Sequence, residues 1–176
     1  MEHGSLIQEL FRVEAVKFGD FTLKSGQKSS VYADLRTAIT FPDILQAMGS
    51  ALAERIAGIE HDFVCGVPYT AWPLATCVAL LTRKAMLLRR KEAKTYGTRT
   101  SIHGVFKQGQ TCVLIEDVVT TGSSILETFT DLQDSGLVVS DVVAFLDREQ
   151  GARETLARYG LKLHSVLTMQ EVLNAQ

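Results

Sequence analysis

The chain has 176 residues, 46% of them hydrophobic and 22% charged, with a formal net charge of −2. That is the composition of one globular domain with a proper core, and it excludes disordered and fibrous classes. So small a net charge gives no global attraction to nucleic acid or a membrane surface, and no apolar run approaches the ~20 residues of a membrane span.

Leu6, Ile7, Leu10, Val13 and Val16 recur at helical spacing and predict a first helix over residues 5–17. FGDFTLKSG and SSVYADLR follow as short extended pieces broken by a Ser-Gly turn. The next helix reads with Thr40 as N-cap, Pro42 in its first turn, Ile44, Met48, Leu52 and Ile56 on one face, and Gly58 as terminator. FVCGV is a short buried strand, AWPLATCVALL an apolar helix and AMLLRR another strand. The stretch RKEAKTYGTRTSIHGVFKQGQ, residues 90–110, is polar, glycine-punctuated and weakly periodic. It reads as a long functional loop without structure of its own. TCVLIED is then a strand, SSILETFTDLQDSG a helix closed by Gly136, VVSDVVAFLD a strand, QGARETLARYG a helix and LKLHSVL a last strand. Thr168 and Glu171 are spaced as a capping box before a short final helix.

Strands alternating with helices imply an α/β fold: three layers, with a mainly parallel sheet flanked by helices, as a single domain over 1–176. No repeat, low-complexity tract or linker interrupts it. Cys65, Cys77 and Cys112 are widely spaced within apolar runs, without CxxC or HExxH patterns. They read as buried free thiols in a reducing compartment. The acidic, amphipathic start MEHGSLIQEL is unlike a signal peptide, so the chain is expected in the cytoplasm.

In parallel α/β sheets ligands bind outside the carboxyl ends of the strands. At one such end stands VLIEDVVTTGSS, an apolar run that stops on Glu116 and Asp117 and turns through Thr120, Thr121, Gly122, Ser123 and Ser124. The turn offers backbone N–H groups and hydroxyls at a helix start, which suits an anion, and Gly122 allows close approach. It lacks the Gly-Lys-Ser/Thr of a Walker A loop. The acids would repel a phosphate but accept hydrogen bonds from ribose hydroxyls, so a sugar phosphate fits both halves. The plain alternative is a capped helix after a strand with an incidental acidic end. A second signal is basic: between Arg83 and Arg99 lie seven cations (Arg83, Lys84, Arg89, Arg90, Lys91, Lys94, Arg99) against Glu92 alone. Either the run is a solvated face, or it serves a diphosphate leaving group on which negative charge builds.

The two acids followed by Thr, Thr, Gly and hydroxyl residues resemble the phosphoribosyl diphosphate (PRPP) motif of the type I phosphoribosyltransferases. FGDFTLKSG, VCGVPYTAWPLAT, LLRRKEAKTYGT, IEDVVTTGSS, LDREQG and LHSVLT together resemble orotate phosphoribosyltransferase over nearly the whole chain. Within that family they are closest to the N-terminal domain of the bifunctional UMP synthases of animals. The resemblance implies a type I phosphoribosyltransferase fold with an N-terminal hood and a mobile loop at about 90–103. It implies transfer of the phosphoribosyl group from PRPP to orotate in UMP biosynthesis. Mg²⁺ would be held mainly by PRPP and water rather than protein ligands, in a homodimer whose loop residues are shared across the interface. Neither nucleic acid nor a membrane is an expected partner.

Carried over by resemblance, Lys94, Glu116 and Asp117 are catalytic. Lys24 reaches the orotate–PRPP region, and Tyr32 lies beside the base. Arg90, Lys91 and Lys94 embrace the diphosphate, Glu116 and Asp117 hold the ribose, Thr120 through Ser124 hold the 5-phosphate, and Arg148 binds orotate. The alternative for Arg148 is a surface arginine paired with Asp147 or Glu149. Two positions depart from the bacterial pattern. Its Tyr-Lys pair is here Tyr69 and Thr70, which removes one diphosphate cation, and its loop His is Tyr96, whose hydroxyl still donates a hydrogen bond. None of the four histidines matches a family catalytic position, and His103 is the one inside the loop. The rival readings are a PRPP-binding regulatory protein without turnover and an enzyme acting on a purine base.

Overall fold

The computed structural model describes residues 3–22, 28–91 and 101–175. Helix α1 (His3–Arg12) buries Leu6, Ile7 and Leu10. It stops five residues short of the expected 17, because Glu14 takes a positive φ of 57° and the Ala15 amide turns back onto the Leu10 carbonyl at 2.9 Å. Val13 and Val16 are nevertheless buried, so the apolar spacing continues through the turn into a strand. Strands β1 (Val16–Thr22) and β2 (Lys28–Ala33) pair antiparallel as a separate two-stranded sheet.

A 3₁₀ turn at Ala38–Thr40 precedes α2 (Pro42–Ile56). The N-cap is not Thr40, whose hydroxyl donates to the Thr37 carbonyl at 2.8 Å, but Phe41 in an extended conformation. Proline disfavours helical geometry in the residue before it, so Pro42 forces the boundary to Phe41 and is itself suited to N1. Nor is Gly58 a left-handed terminator: the helix closes through Ala57, and Gly58 is not among the glycines with positive φ.

The remaining elements are β3 (Phe63–Gly66), α3 (Ala71–Thr82), β4 (Ala85–Arg89), β5 (Ile102–His103), β6 (Cys112–Val119), α4 (Ser123–Asp134), β7 (Asp141–Asp147), α5 (Ala152–Ala157), β8 (Lys162–Thr168) and α6 (Met169–Asn174). They give a six-stranded sheet in the order β5-β4-β3-β6-β7-β8, parallel except for β5. Strand β5 corrects the expectation of a structureless 90–110 loop, since Ile102 and His103 pair with Arg89 and Leu88. As expected, Gly136 follows α4 with φ +84°. The capping box before α6 is also present, with Thr168 Oγ1 accepting from the Glu171 amide and Glu171 Oε2 from the Thr168 amide.

Two cores explain the layers. On one face Val64, Val113, Ile115 and Phe145 pack with Leu52 of α2 and Leu74 and Val78 of α3. On the other, Cys65, Leu114 and Ala144 pack with Ile125 and Phe129 of α4 and Leu156 of α5. Strands covered on both faces need apolar side chains at every position, hence the unbroken run FVCGV. Cys65 and Cys112 are buried free thiols; Cys77 is free but only half-buried. Burial pushes the Cys65 thiol up to about 12, so it is inert. Among the described residues, no helix is long and apolar enough to cross a membrane.

The chain leaves β3 for β4 on one side and reaches β6 on the other. This reversal opens a crevice outside the carboxyl ends of β3 and β6, the usual ligand position in such sheets.

Candidate active site

Strand β6 delivers the acidic pair to that crevice. After the buried Val113, Leu114 and Ile115 come Glu116, 6% exposed, and Asp117, half-buried. The Asp117 amide donates to Glu116 Oε1 at 3.0 Å. Burial, reinforced by the neighbouring Asp117 carboxyl, pushes the Glu116 carboxyl well above its ordinary range. Glu116 therefore resists ionisation.

The next turn makes an anion cradle. Glu116, Thr120, Gly122, Ser123 and Ser124 line a small open concavity. Gly122 is the N-cap of α4, at φ 88° and ψ 5°, and no side chain caps the helix. Among the described residues, the first N–H groups of α4 therefore have neither helical nor capping side-chain acceptors. A Cβ on Gly122 would stand 3.2 Å from Leu156 of α5, so glycine is required by both angle and space.

At the end of β3, the Val67 amide donates to the Ile115 carbonyl at 2.9 Å and holds the two strand ends together. Tyr69 and Thr70 follow directly and lead into α3, with Thr70 as an N-cap whose side chain makes no cap bond. Tyr69 is 52% exposed and lies edge-on to Trp72 at 5.1 Å. Trp72 Nε1 is buried without a partner among the described residues, a feature the apolar sequence of the helix did not single out.

The basic run divides. Arg83 closes α3 in the left-handed region, Lys84 donates to the His61 carbonyl at 2.8 Å, and Arg89 is buried against Asp131 at 2.6 Å. Arg90 and Lys91 are exposed where β4 ends, and the Arg90 amide donates to the Ser101 carbonyl at 2.8 Å. Lys24, Lys94, Tyr96 and Arg99 lie outside the described residues.

Strand β7 ends beside the turn: the Arg148 amide donates to the Val119 carbonyl at 3.0 Å. The expected alternative partners of Arg148 are engaged elsewhere. Asp147 accepts from the Glu149 amide at 2.8 Å and faces Arg153 at 3.5 Å, while Glu149 accepts from the Gln170 amide at 2.9 Å. Arg148 Nε is buried and has no partner among the described residues, and desolvation lowers the guanidinium pKa. A buried donor without an acceptor is costly, and an anionic or carbonyl oxygen would satisfy it.

Thus Glu116, Asp117, Thr120, Thr121, Gly122, Ser123, Ser124, Tyr69, Thr70, Arg90, Lys91 and Arg148 all fall at or just beyond carboxyl ends of β3, β4, β6 and β7. Tyr32 stands apart on β2, 38% exposed and packed on Phe21. No hydrogen bond joins it to the strand-end group among the described residues; its hydroxyl lies 3.5 Å from Asp34. His103 sits in β5 opposite Leu88, whereas His61 and His164 are bonded to Ile59 and Asp141 towards the amino ends of the strands. Among the described residues, no three His, Cys, Asp or Glu gather as a metal site.

The chain is 51% identical to uridine 5′-monophosphate synthase of Bos taurus over 172 residues, 97% of this chain and 36% of that protein. It is 42% identical to orotate phosphoribosyltransferase of Chlamydia felis over 171 residues, 96% of this chain and 83% of that enzyme. The fold matches UMP synthase of Leishmania donovani with a TM-score of 0.90 and 31% identity, covering 99% of this chain and 38% of that one. It matches Mycobacterium tuberculosis orotate phosphoribosyltransferase in complex with PRPP with a TM-score of 0.78 and 29% identity, covering 96% and 97%. The chain therefore spans little more than a third of the UMP synthases and most of the orotate phosphoribosyltransferases. No protein-family model matches it.

Proposed function

Because the chain belongs to the orotate phosphoribosyltransferase family, we propose that it transfers the phosphoribosyl group of PRPP to orotate. The products are orotidine 5′-monophosphate and diphosphate, a step of UMP biosynthesis. One observation carries this reading: an acidic pair at the carboxyl end of β6, followed within five residues by an uncapped, glycine-turned helix start, all at the switch point of the sheet. Ribose hydroxyls meet the acids there and a phosphate meets the turn.

The first N–H groups of α4 and the hydroxyls of Thr120, Thr121, Ser123 and Ser124 hold the 5-phosphate. Glu116 and Asp117 hold the ribose. Bond breaking leaves positive charge on the sugar and negative charge on the departing diphosphate. Asp117 offsets the first; Arg90 and Lys91, with Lys94 by resemblance, offset the second. Tyr69 and Thr70 add hydroxyl donors where bacterial relatives carry a cation, and Tyr96 is assigned to the same group. Arg148 supplies a fork of donors for the planar, anionic orotate, and Lys24 and Tyr32 are assigned to the base side by resemblance alone.

Mg²⁺ fits the hard carboxylate and hydroxyl oxygens that Glu116, Asp117 and the 120–124 turn bring to the crevice. Held by substrate oxygens and water with Asp117 nearby, it would neutralise diphosphate charge. Three free thiols suit a reducing cytoplasm. Exposed Leu80, Leu81 and Leu88 along α3 and β4 support a homodimer, in which the loop residues would serve the partner's site.

The test is incubation with PRPP, Mg²⁺ and orotate while orotate absorbance and diphosphate are followed. The proposal expects equal loss of orotate and gain of diphosphate. PRPP binding without orotate consumption would leave a regulatory protein, and turnover only with a purine base would reassign the substrate.

A further inference from the structure

We propose that Asp147 and Glu149 are positioning residues: the two carboxylates flanking Arg148 fix the backbone turn that aims its guanidinium at orotate. This rests on the proposed function, in which Arg148 is the orotate-binding residue. A long side chain presents its donors in one place only if the backbone beneath it is fixed on both sides. The sheet ladder ends at Asp147, which pairs with Val119 of β6 and Thr168 of β8. One further bond, from the Arg148 amide to the Val119 carbonyl, fixes the peptide before Arg148. Among the described residues, no strand pairing reaches the peptide after it.

Side chains take over there. Asp147 is 4% exposed, and its Oδ1 accepts from the Glu149 amide at 2.8 Å, which holds the peptide between Arg148 and Glu149. An aspartate bonded to its own backbone in this way mimics a backbone turn. The carboxylate is itself held: Oδ2 faces Arg153 at 3.5 Å, and Arg153 Nη1 donates to the Leu163 carbonyl of β8 at 2.7 Å. Glu149 then stands at φ 56°, a left-handed backbone that is unfavourable for a residue with a Cβ. Such a conformation persists only where its surroundings over-determine it. Here they do, because Glu149 Oε2 also accepts from the Gln170 amide at 2.9 Å and ties the turn to the start of α6. The two acids beside Arg148 thus hold its turn, while Arg148 Nε stays without an acceptor among the described residues.

The test is initial rates at varied orotate and PRPP, with thermal unfolding alongside. Asp147→Ala removes the acceptor of the Glu149 amide. Its orotate KM should rise about tenfold while its PRPP KM stays within about twofold, in line with the sensitivity of ligand alignment to small displacements. Asp147→Asn keeps an oxygen acceptor there and should rescue most of the loss. Glu149→Gly removes the tether to Gln170 but also the left-handed strain, so its unfolding midpoint should hold within about 3 °C. Its orotate KM should still rise about threefold, which keeps the inference testable if Asp147→Ala does not fold. Neither substitution should raise the orotate KM further in an Arg148→Met background, where no guanidinium remains to be aimed. Equal weakening of both substrates, an unchanged orotate KM, or a rise that persists in the Arg148→Met background would overturn the inference. If Arg148→Met alone left the orotate KM unchanged, the assignment of Arg148 to orotate would fall instead, and this inference with it.

Discussion

Arg148 should cost the free protein stability and repay it in orotate binding. Its Nε is buried without an acceptor among the described residues, and the neighbouring carboxylates are bonded elsewhere. A buried unsatisfied donor costs about 1–3 kcal/mol. Arg148→Met keeps most of the aliphatic packing and removes the donor, so the ligand-free protein should be as stable or more so. For a chain of this size each 1 kcal/mol moves the unfolding midpoint by about 2–4 °C. The same substitution removes hydrogen bonds from a charged donor to orotate, each about 1.5–3 kcal/mol, so the KM for orotate should rise about ten- to a hundredfold. The KM for PRPP should change little, because the phosphate turn and strand-end acids are untouched. Arg148→Lys retains charge without the planar fork and should also raise the orotate KM. Thermal unfolding without ligands and initial rates at varied orotate and PRPP measure both halves. A destabilised Arg148→Met protein with an unchanged orotate KM would refute the reasoning, as would equal weakening of both substrates.

Asp117→Asn should leave the unfolding midpoint in place and lower kcat on the order of 10²-fold, through loss of charge opposite the cationic sugar. Mixing Asp117→Asn chains with Lys94→Ala chains should restore some activity if the loop serves the partner's site; no recovery despite proven subunit exchange would place Lys94 at its own. Gly122→Ala forces a side chain into φ 88° and to 3.2 Å from Leu156, so it should cost stability and weaken PRPP binding. The left-handed backbone alone accounts for roughly 1–2 kcal/mol by thermal unfolding. Glu116 has its carboxyl raised by burial above the ordinary 4.5, so it binds its proton more tightly folded than unfolded. Its contribution is then full below that ordinary value and erodes as pH rises towards the folded one. Glu116→Gln should accordingly gain in midpoint relative to the unaltered protein as pH rises above the ordinary 4.5, and a constant difference would remove burial as the cause.

Periodicity located nearly every element of the sheet layer, because each long helix and strand buries one chemically uniform face or two. It misjudged ends. Leu6 to Val16 keep a helical rhythm although the chain turns at Glu14, since burial depends on where a side chain points and not on the element carrying it. At Thr40 a good capping side chain outranked a backbone restriction one residue later, and the restriction at Phe41 decides the boundary. Strand β5 was invisible because two residues carry no period; Ile102 is fixed by pairing with Arg89, a partner distant in sequence.

The acidic pair and its turn were legible because their chemistry is local: twelve consecutive residues hold the acids, hydroxyls and left-handed glycine. The cations were not, because a run of charge does not reveal where each side chain goes. Arg89 and Arg90 are adjacent and chemically identical, yet alternation along β4 sends one into the α4 layer and leaves the other exposed. Asp131, which receives Arg89, is separated from it by 42 residues and by a whole intervening strand. Arg148 parts likewise from its neighbours in sequence: Asp147 turns towards Arg153, while Arg148 Nε is buried with no acceptor among the described residues. Assigning such a residue to substrate therefore requires showing that every protein acceptor within reach is already occupied, and tertiary structure alone supplies that accounting.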